Sequence, residues 1–133
     1  MLGIVLVAHN DFAESIKRVA EHVVGSLPDV VCISVLPDDD IDLKRKEIQT
    51  AISKVEGKEG VVLLTDMFGG TPSNLAISLM EEGRVEVISG INVPMLVKLL
   101  RMRQKSLQEA VLSAAESGRH YIMVASDLLE KRK

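Results

Sequence analysis

Residues 2–11 read Leu2-Gly3-Ile4-Val5-Leu6-Val7-Ala8-His9-Asn10-Asp11, an apolar run that ends at a histidine and passes into a helical pattern. A strand followed at once by a helix opens a strand–helix–strand unit, and in an open parallel sheet ligands and reacting groups collect at the carboxyl ends of the strands. A second such edge follows Val61-Val62-Leu63-Leu64-Thr65, where Asp66 and then Gly69-Gly70-Thr71-Pro72 stand. An imidazole, a carboxylate and a glycine-rich helix start are the parts that a phosphohistidine site needs.

Working outward, apolar runs rich in β-branched residues recur at 2–8, 30–36, 60–65, 84–89 and 120–125. Between them lie segments of helical spacing. In 11–25, Phe12, Ile16, Val19, Ala20 and Val23 share a stripe; in 41–55, Ile41, Ile48, Ala51, Ile52 and Val55 do the same. Segment 72–82 opens with Thr71 as N-cap and Pro72 at the first helical position. Segments 94–103 and 106–117 also read as helices, the second closed by Gly118. This alternation predicts a doubly wound, three-layer αβα fold of the α/β class, with a parallel sheet and right-handed crossovers. The direction of the last strand, 120–125, stays open at this point. If strands one and three are neighbours, as in the order 2-1-3-4, then His9 and Asp66 face one crevice at the topological switch point.

With 133 residues and no linker, repeat or low-complexity stretch, residues 1–133 are expected to form a single domain. Hydrophobic residues make up 47% of the chain, but no run approaches the roughly 20 residues needed to span a bilayer. The first apolar stretch lacks a basic start and a cleavage-like site, so it reads as a strand rather than a leader. The single Cys32 permits no internal disulfide and fits a reducing cytoplasm; its place in Val30-Val31-Cys32-Ile33-Ser34-Val35 predicts a buried thiol. A formal charge of −3 with mixed signs argues against nucleic acid, and Glu130-Lys131-Arg132-Lys133 reads as a solvated basic end. Phe12, Phe68 and Tyr121 provide no stacking platform for bases or a flavin.

The chemistry follows from the residue types. Imidazole attacks phosphorus only through an unprotonated nitrogen, and a carboxylate on the other nitrogen fixes the tautomer and stabilises the cationic phosphoimidazole. His9 and Asp66 are therefore the candidate catalytic pair, Asp66 orienting one ring nitrogen while the other takes the phosphoryl group. Asn10, Gly69, Gly70 and Thr71 are the candidate phosphate-binding residues. Two helices begin beside the pair, free N–H groups at helix starts bind anions, and Gly69-Gly70 lets the backbone approach without a Cβ. Neither loop holds a lysine or arginine, so backbone dipoles and a docked partner must carry the charge. His22 and His120 are expected to be structural, Asp38-Asp39-Asp40 to be a solvated loop that caps the next helix, and Met67, Met95 and Met102 to be packing or interface residues. No metal site and no cofactor are expected.

Val7-Ala8-His9-Asn10, Thr65-Asp66-Met67-Phe68-Gly69-Gly70-Thr71-Pro72-Ser73-Asn74 and Gly90-Ile91-Asn92-Val93-Pro94-Met95 resemble the three signature stretches of the mannose-type enzyme IIA. These are phosphocarrier domains (mannose, fructose and sorbose family) of the bacterial phosphoenolpyruvate-dependent sugar phosphotransferase system. The resemblance runs in order along essentially the whole chain, and its middle stretch is the most specific. It implies that His9 is the phosphoacceptor, that Asp66 is its hydrogen-bond partner, and that Gly69, Gly70 and Thr71 form the phosphate-side loop, with Thr71 where the family often has serine. It further implies that Asn92 borders the pocket and that Phe68, where some members carry tryptophan, belongs to a partner interface. The family's homodimers exchange a fifth, antiparallel strand, which here would lie near 120–125. The implied reaction takes a phosphoryl group from the histidine carrier HPr to an enzyme IIB, in the cytoplasm, with association to a membrane permease complex left open. The alternative is a stand-alone regulatory phosphoprotein that acts through protein contacts.

Other functions fit less well. A receiver domain needs an acidic pair after strand one and a lysine after the last parallel strand, and both are missing. A flavodoxin-like carrier needs a hydroxyl-rich loop and aromatic walls. The phosphotransfer subunit of dihydroxyacetone kinases has a related fold, but Gly69-Gly70-Thr71-Pro72-Ser73-Asn74 favours the sugar-system branch. A pure interaction module would tolerate His9→Ala.

Overall fold

The computed structural model describes residues 1–131. Arg132 and Lys133 of the basic end lie outside the described residues. Four strands, β1 (Gly3–His9), β2 (Val30–Val35), β3 (Val61–Thr65) and β4 (Val85–Ser89), form one parallel sheet in the order β2-β1-β3-β4. The helices are α1 (Phe12–Val24), α2 (Ile41–Val55), α3 (Thr71–Ser78), α4 (Val93–Arg101), α5 (Leu107–His120) and α6 (Ala125–Lys131). The register sets Val7 beside Thr65, so Asp66 emerges from β3 next to the end of β1.

Strand alternation sorts the core into two layers. Ile4, Leu6 and Ala8 of β1 with Val62 and Leu64 of β3 pack under α1, α4 and α5, while Val5, Val7, Val61 and Leu63 pack under α2 and α3. Both faces are covered, which is why β1 and β3 read as continuous apolar runs rather than alternating ones. On α1 the buried line is Ala13, Ile16 and Ala20; Phe12, Val19 and Val23 of the expected stripe remain exposed. Two alanines facing the sheet let the helix approach it closely, leaving the larger apolar side chains at the flanks.

Helix starts follow local chemistry. Asp40 caps α2 by accepting from Leu43 N at 3.1 Å, Asn92 caps α4 through Met95 N at 3.0 Å, and Ser106 caps α5 through Glu109 N at 3.2 Å. The aspartate run therefore acts as the expected cap, with Asp39 also accepting from Leu36 N.

Two expectations need correction at the carboxyl end. Gly118 does not close α5, which continues to His120. A Cβ on Gly118 would lie 3.0 Å from Met95 Cε and 3.2 Å from Asn92 Oδ1, so this glycine serves close helix–helix approach rather than termination. Nor do residues 120–125 form a strand within the chain: His120 ends α5, Ile122–Val124 are irregular, and α6 starts at Ala125. A strand needs a neighbouring edge for its N–H and C=O groups, and this segment is paired with none in its own sheet.

Candidate active site

His9 is the last residue of β1, and Asn10 turns the chain toward α1 with a left-handed φ of 51°, a conformation asparagine tolerates better than most residues. The Asn10 N–H donates to Val35 O at 3.1 Å, so only its side chain is free for a ligand. Asp66 Oδ2 lies 2.7 Å from His9 Nδ1 and also accepts from the His9 backbone N–H at 3.0 Å. Its other oxygen accepts from Met67 N at 3.1 Å. A carboxylate is an acceptor only, so Nδ1 carries the proton in this bond and Nε2 of the neutral ring presents a lone pair. Burial would push the Asp66 carboxyl up, but the backbone N–H, ring and charge of His9 together hold it below its ordinary value. The His9 side chain remains 43% exposed against 14% for Asp66: the imidazole is reachable and its carboxylate partner is sheltered.

The second wall is the segment from Asp66 to Ser73. Gly69 has φ 93°, and Gly70 caps α3 in extended geometry, one residue earlier than Thr71, the expected cap. A Cβ on Gly70 would stand 2.9 Å from His9 Cε1 and 3.4 Å from Nε2, so the glycine backbone runs directly beside the free edge of the ring. The two helices that begin next to His9, α1 and α3, are also the two of α1–α5 without a side-chain cap. Asn74 N bonds Gly70 O and Pro72 has no N–H, while Gly70, Thr71 and Ser73 N–H have no hydrogen-bond partner among the described residues. Unpaired N–H groups at a helix start are the kind of donors to which anions bind.

Phe68 is 76% exposed and Met67 is also exposed, both on the loop that carries Asp66. Asn92 takes a different part from the one its neighbourhood suggested. Its Oδ1 caps α4, and its Nδ2 donates to Gly118 O at 2.9 Å, so both ends of the amide join α4 to α5. Cys32 is half-buried, its Sγ 3.5 Å from Ala13 O; burial, with Glu14 nearby, pushes the thiol up to about 11, which suits a packing group rather than a nucleophile. Among the described residues no cluster of three or more His, Cys, Asp or Glu could hold a metal ion, and no helix is long and apolar enough to cross a membrane.

Sequence reasoning passed over one feature. Thr65 Oγ1 donates to Ser89 Oγ at 2.8 Å, and Ser73 Oγ is 2.9 Å from the same oxygen, so three hydroxyls connect the ends of β3 and β4 to the first turn of α3. The available signal was a threonine and a serine closing two otherwise apolar strands, with a serine just inside the helix between them.

The family model described as "PTS system fructose IIA component" matches residues 3–116. The mannose-specific EIIAB component of Escherichia coli K12 is 32% identical over 121 residues, covering 89% of this chain; the chain spans only 38% of that relative's length. The fructose-specific EIIA component of Bacillus subtilis is 25% identical over 100% of this chain and 92% of its own length. Among solved structures, the phosphotransferase system component EIIA from Streptococcus agalactiae superposes with a TM-score of 0.85 at 26% identity, over 96% of this chain and 99% of that one. The parallel 2-1-3-4 sheet, the whole-length structural likeness and the family match agree, and the chain belongs to the mannose-type EIIA family of the sugar phosphotransferase system.

Proposed function

We propose that His9 is the phosphoryl acceptor of a cytoplasmic phosphocarrier, charged by phosphorylated HPr and discharged to an enzyme IIB. The observation that carries this reading is the 2.7 Å contact of His9 Nδ1 with Asp66, which in the neutral ring makes Nε2, beside the Gly70 backbone, the nitrogen that offers a lone pair. The Nε2 lone pair forms the new P–N bond while the P–N bond to the donor histidine breaks, and that electron pair stays on the donor ring. The Nδ1 proton stays between ring and carboxylate, whose negative charge balances the cationic phosphoimidazole. The phosphoryl oxygens meet the free N–H groups of Gly70, Thr71 and Ser73, with the Thr71 hydroxyl and the Asn10 side chain at the rim. In-line transfer of this kind is mostly positioning and electrostatics, which these groups supply without a metal. The half-exposed ring and the exposed Met67 and Phe68 suit a site that reacts inside a protein–protein complex.

The chain is incubated with phosphoenolpyruvate, enzyme I and HPr, and intact mass is recorded beside a His9→Ala control. One acid-labile phosphoryl unit on the wild type and none on the variant is the expected result; no uptake by folded protein with active carriers would sink the reading. A regulatory phosphoprotein would share this charging step and differ only in passing nothing to a IIB.

A further inference from the structure

Thr65 and Ser73 are fully buried, yet both carry hydroxyls in a layer otherwise built from Val61, Leu63, Leu75, Ala76 and Val85. Exchanging a whole hydrogen-bonded group for apolar groups of the same shape is nearly neutral for stability, so stability alone does not explain three hydroxyls here. Their placement does. Thr65 immediately precedes Asp66, and Ser73 is the third residue of α3; the whole glycine loop runs between them. One end of that loop is held by the Asp66–His9 contact, and the other by Ser73 on Ser89, which Thr65 holds in turn. Ser73 therefore anchors the same helical turn in which the Gly70, Thr71 and Ser73 N–H groups are unpaired, with Gly70 beside the His9 ring.

We propose that Thr65, Ser89 and Ser73 form a positioning chain that sets the first turn of α3 against His9, and that it acts on the rate of phosphoryl transfer rather than on donor binding. This rests on the carrier reading above. None of the three touches the reacting atoms through its hydroxyl; the effect passes through the Ser73 backbone and the register of Gly70 and Thr71. A turn misplaced by a fraction of an ångström still folds but meets the transferring group poorly.

The test is transfer from phosphorylated HPr to the wild type and to Thr65→Val, Ser73→Ala and Ser89→Ala, across donor concentrations, with thermal unfolding of each. The expected result is a fall of about tenfold in kcat with KM within about twofold and the variants folded. Thr65→Ser and Ser89→Thr, which keep the hydroxyl, are expected to recover most of the rate. Wild-type rates in folded Thr65→Val and Ser89→Ala, or losses that follow only the unfolded fraction, would overturn the positioning chain while leaving the carrier intact. A wild type that accepts no phosphoryl group would overturn the carrier reading, and with it any part for the hydroxyls in transfer.

Discussion

A Cβ built on Gly70 would lie 2.9 Å from His9 Cε1, whereas one built on Gly69 would meet nothing within 4 Å. The two neighbours differ in the opposite sense in their backbones: Gly70 has φ −89°, open to any residue, and Gly69 has φ 93°, which favours glycine. Alanine at Gly70 therefore spares the backbone and presses on the ring, while alanine at Gly69 spares the ring and strains the backbone. Gly70→Ala is expected to stay folded and to slow phosphorylation about ten- to a hundredfold. Gly69→Ala is expected to cost about 1 kcal/mol of stability with a smaller effect on rate. Transfer kinetics beside urea unfolding separate the two; equal effects of both variants on both readouts would refute the division. That the glycines matter was legible in the pair Gly69-Gly70. Which of them touches the histidine was not, because φ and the path of the loop depend on where α3 docks.

Elements are joined by polar groups whose tasks a linear reading does not reveal. Arg103, just beyond α4, is buried, with Nε donating to Leu2 O at 2.8 Å and its two terminal nitrogens to Pro28 O at 2.6 Å and Asp29 O at 3.2 Å. One guanidinium thus ties the chain after α4 to the starts of β1 and β2, at the end of the sheet opposite His9. Burial lowers its pKa below the ordinary value, with Asp29 opposing, but an arginine stays charged there. Arg103→Met would leave Leu2 O and Pro28 O without this donor and Asp29 O with only the Ile4 N–H at 3.3 Å. The expected loss is about 3 kcal/mol, measured by urea unfolding, with Arg103→Lys recovering only part because an ammonium lacks the planar fork. A change below about 0.5 kcal/mol would show that water takes over those carbonyls without cost. Asn92 belongs to the same class: its position in a signature stretch suggested a pocket residue, and the structure occupies both ends of its amide in joining α4 to α5.

For the whole molecule, the outstanding feature is the apolar surface after α5. Ile122 is 75% exposed, and Met123, Val124, Leu128 and Leu129 are exposed beside it. Five exposed large apolar side chains within eight residues of a small chain are the kind of feature that marks an interaction surface. The groove along β4, lined by Ile77, Met80, Val87, Ile88 and Leu112 among others, is a second apolar surface in need of cover. A homodimer in which residues 120–125 add to a partner's sheet would answer both. Sedimentation equilibrium of the full chain is expected to give a dimer, and deletion of residues 122–133 a monomer that keeps the His9–Asp66 site. A full chain that stays monomeric at high concentration would refute the exchange.

The four parallel strands and the helices α1–α5 were determined by the sequence itself, because they rest on local periodicity, and the rule that ligands gather at strand ends pointed to His9 and Asp66. The α2 boundaries, Ile41–Val55, coincide with the 41–55 pattern, since Asp40 and the apolar spacing are local signals. The tertiary structure alone decided the rest. The run 120–125 is as apolar as a strand, but a strand exists only where it pairs with an edge, and this segment pairs with none in its own chain. Gly118 looks like a helix stop and proves to be a contact point for Met95, and Thr65, Ser73 and Ser89 look unrelated until the packing of α3 on the sheet brings the Thr65 and Ser73 hydroxyls within 3 Å of Ser89 Oγ. Pairing, close approach and buried hydrogen bonding are relations between distant residues, and they come into being only when the layers have closed.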